Sequence, residues 1–589
     1  MDHPKRFALL GVVWLGISGS SGAQQSLDTV TVGEQQCTTA NLAAPIDPKQ
    51  IGEPVSAVQI DKVDWYAATE RAPALCVVEG QLLPVDHSPT AFPIRFAVAL
   101  PAQWNRRSIH QGGGGMNGTV PRFAPVAPRA GGPPGGGFPG GFPGGGFPGG
   151  GAPSDAARGF AVYGSDSGHG QDPQWALNDE AIRNFGYAQL KKTNDVAQIL
   201  IKRMYGSAPR YRYFVGTSQG GREALTVAQR YPSDYDGVAA NVPVLSLAGL
   251  MASPVAIRHQ EIPLAKWVPT AKARAIAAEF MRQCDGLDGL QDGVIDNYLQ
   301  CREIFNVRDG KGPKHPWVAK RCPDNHDPDP ADKSENACLT DGQIETLEFI
   351  FSNHPYDATM AHGVKSFGMW LPSTEVVTGG MGGGNSLFTD TRFRGQEGAA
   401  ADARLFAALG TVGLVGFVLG DLDANPLTFT LTPALRKRER EVSAWVDSSD
   451  PDLSAFQRRG GKLIVAIGTN DTLASPGAQL DYYAAVTKKM GRKLDSFARL
   501  YVLPQRGHGF TGNHYALTGD GKTVAATPLP SQFDRMALLQ KWVEQGEAPA
   551  VTQVVTGQGG ASGLMCSYPQ HPQYAGGDAE QAAAWQCRD

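Results

Sequence analysis

Three side chains in this sequence have the types and the order that acyl-transfer chemistry requires. Ser218 sits in Gly216-Thr217-Ser218-Gln219-Gly220, Asp471 closes Gly468-Thr469-Asn470-Asp471, and His508 lies in Arg506-Gly507-His508-Gly509. A serine hydroxyl is a weak nucleophile at neutral pH. It needs a base within hydrogen-bond reach, and that base needs a carboxylate to orient it. Of the twelve histidines, only His508, His514 and His571 come late in the chain. His508 follows an apolar strand-like run, so it is the candidate base, with His514 second. The oxyanion formed on attack needs N–H donors. Gln219, directly after the serine, offers one, and the glycine run Gly112 to Gly115 offers another. The sequence leaves Gly113 and Gly114 open as the second donor.

These residues need a scaffold that turns sharply at Ser218. Tyr211 to Val215 reads as a short strand and Arg222 to Arg230 as a helix, which places the serine on a strand-to-helix elbow. Upstream, Gly159 to Gly164 is an apolar run ending in Gly164-Ser-Asp-Ser-Gly-His169. From about Tyr187 to Tyr205, Leu190, Val196, Ile199, Leu200 and Met204 recur with helical spacing. Strand, helix, strand makes a βαβ unit and hence a parallel sheet. Further strands are predicted at Lys462–Gly468 and Ala498–Leu503, each placed just before Asp471 or His508. An alternating strand over Ala91 to Leu100 is expected to run directly into the glycine loop. The fold class implied is α/β, an α/β-hydrolase core with a large inserted lid domain.

At 589 residues the chain is too long for one compact core. The catalytic domain is expected to comprise 24–245 and 441–589, interrupted by a lid over 246–440, where the pattern shifts to cysteines, acidic turns and Gly- or Pro-rich loops. Within the first part, 131–153 repeats Phe-Pro-Gly-Gly and reads as a low-complexity loop. Residues 1–23, with Lys5 and Arg6 before an apolar run and small residues after it, read as a signal peptide, and no later run is long enough to anchor the chain in a membrane. A secreted or periplasmic protein is therefore expected. In such a compartment, eight cysteines in neighbouring positions imply four disulfides. A formal net charge of -4 gives no reason to seek nucleic acid.

The glycine loop, Gly164-Ser-Asp-Ser-Gly-His169, the elbow with Gly220-Gly221-Arg222, the acidic stretch after Cys284, Asp471 and His508 together resemble the tannase and feruloyl esterase family. The resemblance implies an α/β-hydrolase core, a calcium-bound lid and hydrolysis of esters of aromatic acids. It implies a Ca²⁺ loop in Cys284-Asp285-Gly-Leu-Asp288-Gly-Leu290-Gln-Asp292-Gly-Val294, with the carboxylates of Asp285, Asp288 and Asp292 and the carbonyls of Leu290 and Val294 as hard oxygen ligands. It also implies the bridges Cys37–Cys76, Cys284–Cys301, Cys322–Cys338 and Cys566–Cys587. One feature departs from the family: a cysteine before the nucleophile and another after the histidine, joined in typical members, are here Thr217 and Gly509.

The expected activity is that of a serine carboxylic-ester hydrolase working through an acyl-enzyme, without an organic cofactor. Feruloyl esters rank first as substrates, then tannins and terephthalate monoesters. Phe367, Met369 and Trp370 in the lid are candidates to stack on an aromatic acid, or else belong to the lid's core. The reading from a different class is a calcium-dependent binding protein on a hydrolase scaffold. The oligomeric state is not legible.

Overall fold

The computed structural model describes residues 28–589 apart from 71, 124–153, 263, 310–314, 369 and 374–411. The expected signal peptide, the Phe-Pro-Gly-Gly repeat and Met369 lie outside the described residues.

An eleven-stranded sheet organises the molecule. In chain order its strands are β1 (Ala57–Tyr66), β2 (Leu75–Leu83), β3 (Ile94–Pro101), β4 (Arg107–Gln111), β5 (Ala161–Ser165), β6 (Tyr211–Thr217), β7 (Gly237–Asn241), β8 (Lys462–Gly468), β9 (Ala498–Leu503), β10 (Thr552–Thr556) and β11 (Ser562–Ser567). They lie side by side as β10-β11-β9-β8-β7-β6-β4-β5-β3-β2-β1. The centre, from β9 through β5, is parallel; antiparallel pairs extend it at both ends. Parallel strands covered on both faces read as unbroken apolar runs, and β8 (Lys-Leu-Ile-Val-Ala-Ile-Gly) is buried at every position after Lys462.

β4 corrects the expected path into the glycine loop. The loop leaves β4, not the strand ending near Leu100. Ser108 and His110 interrupt the apolar pattern of β4, yet both are fully buried. His110 donates or accepts through Nδ1 at 2.7 Å from the Tyr235 hydroxyl and packs between Tyr163 and Phe214. Burial pushes its imidazole down to about 3, so it is a neutral core residue.

β7 and β8 are hydrogen-bonded neighbours, and residues 242–461 lie between them in the chain. Among the described residues, that interval adds no strand to the central sheet. It is built from helices, including α3 (Leu247–Gln260), α4 (Ala273–Cys284), α5 (Tyr298–Phe305), α6 (Asp341–Ile350) and α7 (Pro433–Val446), with a two-residue ladder at His354–Pro355 and Ser366–Phe367. The sheet's helices are α1 (Gln189–Tyr205), α2 (Gln219–Arg230), α8 (Pro476–Met490) and α9 (Arg535–Gln545). The insertion has its own aromatic core, where Phe280 meets Phe305, Trp317 and Phe351 edge-on at 4.8–5.4 Å. Phe367 and Trp370 belong to that core, at 3% and 2% exposure, and Leu473 and Ala478 of the region after β8 pack into it. Of the two roles open to Phe367 and Trp370, the structure gives them the packing one.

All eight cysteines are paired, as Cys37–Cys76, Cys284–Cys301, Cys322–Cys338 and Cys566–Cys587. Among the described residues, no helix is long and apolar enough to cross a membrane.

Candidate active site

Ser218 stands between β6 and α2 with φ 62° and ψ −118°, a backbone conformation that is strained for any side-chain-bearing residue. Two features hold it there. The Ser218 N–H donates to Asn241 O on β7 at 2.9 Å, and its carbonyl accepts from Arg222 and Val244. The flanking glycines make the turn sterically possible: a Cβ on Gly216 would fall 2.0 Å from Gly220 O, and one on Gly220 would fall 2.7 Å from Gly113 O. Elbow and glycine loop are thus in backbone contact. Ser218 itself is half-buried.

Two charged residues of α2 organise this region: Arg222, already part of the Gly220-Gly221-Arg222 motif, and Glu223, which sequence patterning passed over. Arg222 is fully buried, and burial pushes its guanidinium down to about 10. It donates to Phe185 O, Gly186 O, Val446 O and Gln219 Oε1 at 2.7–3.0 Å, which ties the elbow helix to the end of α7. Glu223 is 1% exposed. Its Oε2 accepts from the N–H of Gly113 at 2.8 Å, and its Oε1 accepts from Asn117 Nδ2 at 2.6 Å and Gln189 Nε2 at 3.2 Å. Burial raises its carboxyl, while Arg222, Gly113 and Asn117 act in the opposite direction. The Gly113 N–H is therefore engaged by Glu223 rather than aimed at a substrate. Of the two expected glycines, Gly114 is exposed at the tip of the loop. The signal for Glu223 was a charge pair embedded in an otherwise small and apolar helix.

Asp471 and His508 follow the neighbouring parallel strands β8 and β9, at the same carboxyl edge of the sheet as Ser218 after β6. Asp471, after β8, is fully buried. Its Oδ1 accepts from the N–H groups of Leu473 and Ala474 at 2.8 Å each, and its Oδ2 lies 2.8 Å from His508 Nδ1. His508 is 17% exposed and rides on a tight turn after β9, closed by Gly507 N–H to Thr511 O and Phe510 N–H to Gly507 O. His514 is placed elsewhere: it bonds to Thr527 through Nδ1. Thr217 accepts from Asn241 Nδ2 at 3.3 Å, and the nearest atom to a Cβ placed on Gly509 would be Thr511 Oγ1, at 3.9 Å.

The acidic loop of the insertion folds against the histidine side. Asp285 accepts from Gly293, Val294 and Gly519 N–H groups at 2.7–3.1 Å. Asp292 caps Val294, and Asp288 caps Leu290 with Oδ1, while Asp288 Oδ2 is buried without a hydrogen-bond partner. Burial raises Asp285, Asp288, Asp292 and Asp296, and repulsion from neighbouring aspartates adds to this at Asp285, Asp288 and Asp296. Buried Arg506 offsets part of it at Asp292 and Asp296. A hard cation suits such a set of crowded carboxylates. Three carboxylates of this loop do not converge within 4.8 Å of one another. Among the described residues, the set that does is Cys322, Asp327 and Cys338, whose cysteines are a disulfide. A cation in the acidic loop would thus depend on main-chain oxygens, such as those of Leu290 and Val294, to complete its shell.

A parallel-centred sheet with a strand-to-helix elbow, followed in chain order by an acid and a histidine, defines an α/β-hydrolase. Residues 76–588 match the family described as tannase and feruloyl esterase, and the chain belongs to it. The chain is similar to an uncharacterized esterase of Agrobacterium fabrum, 30% identical over 569 residues, 94% of this chain and 93% of that one. It is also similar to the mono(2-hydroxyethyl) terephthalate hydrolase of Piscinibacter sakaiensis, 27% identical over 594 residues, 91% of this chain and 89% of that one. The crystal structure of feruloyl esterase B from Aspergillus oryzae shares the fold, with a TM-score of 0.68 at 21% identity over 94% of this chain and 99% of that one. The protein is a carboxylic ester hydrolase acting on small-molecule esters.

Proposed function

We propose that the protein is an exported serine esterase that cleaves esters of aromatic acids, feruloyl esters first, with Ser218 as nucleophile, His508 as base and Asp471 as the orienting acid. The observation that carries this reading is the buried Asp471 carboxylate, fixed by two backbone N–H groups and turned onto His508 Nδ1. In that arrangement His508 Nε2 takes the Ser218 proton as Oγ attacks the ester carbonyl. The oxyanion rests on the N–H groups of Gln219 and Gly114. Collapse expels the alcohol, which receives the proton from His508. Water, deprotonated by the same nitrogen, then releases the acid and restores the Ser218 hydroxyl. The names of the family and of its relatives support an aromatic acyl group, with tannins and terephthalate monoesters as the alternative substrates. Export is supported by the four disulfides and by the apolar run that precedes the described residues.

Calcium is the proposed resident ion of the acidic loop, held by Asp285, Asp288 and Asp292 with the carbonyls of Leu290 and Val294. The ion would neutralise carboxylates that burial disfavours. Its role is structural.

Turnover of methyl ferulate, methyl gallate, a hydroxyethyl terephthalate monoester and the aliphatic ester methyl butyrate by the purified protein, beside Ser218→Ala, tests the reading. A loss of about 10⁴-fold or more in kcat for the variant is expected. Unchanged turnover by Ser218→Ala would remove Ser218 from the mechanism, and preference for an aliphatic ester would remove the aromatic assignment.

A further inference from the structure

The histidine turn is anchored by a residue that looks out of place. Gln505 has a φ of 55°, a left-handed conformation that glycine adopts at little cost and a long side chain does not. Its side chain is nevertheless 1% exposed, and every hydrogen-bonding group of the carboxamide is engaged. Nε2 donates to Asn513 O at 2.8 Å and to Gly293 O at 2.6 Å, and Oε1 accepts from the Ile295 N–H at 3.0 Å. The Gln505 main-chain N–H donates to Thr469 Oγ1 at 2.7 Å. Next to it, Asn470 N–H donates to Arg506 O at 2.9 Å.

Each contact reaches a different segment. Asn513 lies beyond the turn that carries His508, so the bond to its carbonyl closes the base of that turn. Gly293 and Ile295 flank Val294 in the acidic loop of the insertion. Thr469 and Asn470 lead into Asp471. One buried side chain and its backbone therefore join the histidine turn, the acid's loop and the insertion. The fit is tight: a Cβ on Gly512 would lie 2.1 Å from Gln505 O, and one on Gly468 would lie 2.1 Å from Arg506 O. A buried amide that is fully paired fixes geometry strongly, because any partner left unpaired in the interior has lost its water without a replacement.

We propose that Gln505 is a positioning residue for His508: its carboxamide closes the base of the histidine turn at Asn513 and locks that turn onto the insertion at Gly293 and Ile295. It holds the histidine turn by hydrogen bonds, to the insertion and to the acid's loop, and it makes the alignment of His508 depend on the insertion. The inference rests on the esterase reading above, since it gives His508 a reaction to serve.

Gln505→Met keeps the length of the side chain and removes its hydrogen bonds. Gln505→Gly removes the side chain and relieves the backbone at φ 55°. The two variants are compared with the parent and with Ser218→Ala for kcat and KM on methyl ferulate, for the rate of covalent inactivation by an aryl phosphonate directed at Ser218, and for amide hydrogen exchange over 290–296 and 505–513. Both variants are expected to lose about tenfold or more in kcat with KM within about twofold of the parent, and phosphonylation slows by the same factor. Exchange rises together in the two segments while the rest of the sheet stays protected. Where Gln505→Met does not fold, Gln505→Gly decides. The proposal is overturned by a folded variant whose kcat and phosphonylation rate stay within about twofold of the parent, or by changes confined to KM or Tm. Failure of both variants to fold also overturns it, by assigning Gln505 to global stability. An inactive parent, or an active Ser218→Ala, overturns the esterase reading instead and is told apart by those two controls.

Discussion

The nucleophile and the histidine are held by two different kinds of structure. Around Ser218, support comes from the sheet itself: β6 and β7 in register, glycines in backbone contact, and Arg222 and Glu223 reaching from the elbow helix to the segments around it. Around His508, support comes from a turn whose anchors lie partly in the insertion, at Gly293 and Ile295. The first half rests mainly on the core, with Arg222 adding a tie to Val446 at the end of α7. The second requires a segment that enters the chain between β7 and β8. The nucleophile meets the insertion at its two ends, Val244 and Val446, whereas the base leans on the acidic loop in its interior.

The largest break in that contrast is expected at Glu223, on the nucleophile side. Glu223→Gln presents an amide N–H₂ to groups that are themselves donors, Gly113 N–H and Asn117 Nδ2 among them, so the glycine loop should shift. A fall of about a hundredfold in kcat, near 2.7 kcal/mol of transition-state stabilisation, is expected with little change in KM. Retention of kcat would show that the loop holds its place without Glu223. A smaller effect, on the histidine side, is expected from calcium removal. Chelation should lower stability by about 2–3 kcal/mol at saturating initial calcium and should raise exchange in 505–513 before it does so at the elbow. Equal Tm with and without chelator would leave the acidic loop without its ion. The smallest effect should come from joining the halves. Thr217→Cys with Gly509→Cys is expected to form a bridge and raise stability by about 2 kcal/mol, read as an increase in Tm that disappears on reduction. Free thiols in a folded, active double variant would mean the two loops stand too far apart.

What the sequence disclosed follows the same division. β8 was legible because its burial on both faces leaves an unbroken aliphatic run, and Ser218 because a sharp elbow demands glycine at fixed offsets. Asp471 and His508 followed from their placement after strands. β4 was missed because its buried positions include the polar Ser108 and His110, the latter satisfied by the Tyr235 hydroxyl from elsewhere in the fold. The engagement of Gly113 by Glu223 was illegible for a related reason: glycine offers only its backbone, and the direction of an N–H is fixed by a side chain on another element. Gln505 was further out of reach, since Gly293 and Ile295 are more than two hundred residues away in the chain and nothing in Pro504-Gln505-Arg506 marks a buried amide. Periodicity and local motifs report on the scaffold. The bonds that tune a site are long-range.

The adjacency of β7 and β8 also orders the birth of the molecule. As the chain emerges from its N-terminus, β1 to β7 and the elbow can assemble, but the strand that must pair with β7 arrives only after residues 242–461. Joining distant strands in parallel is slow, because the loop between them must first be brought to order. During that interval the edge of β7 is uncovered from Gly237 to Asn241, the residues that later pair with β8. The insertion has a separate aromatic core, in which Phe280 meets Phe305, Trp317 and Phe351, and the sooner that core forms, the shorter the interval.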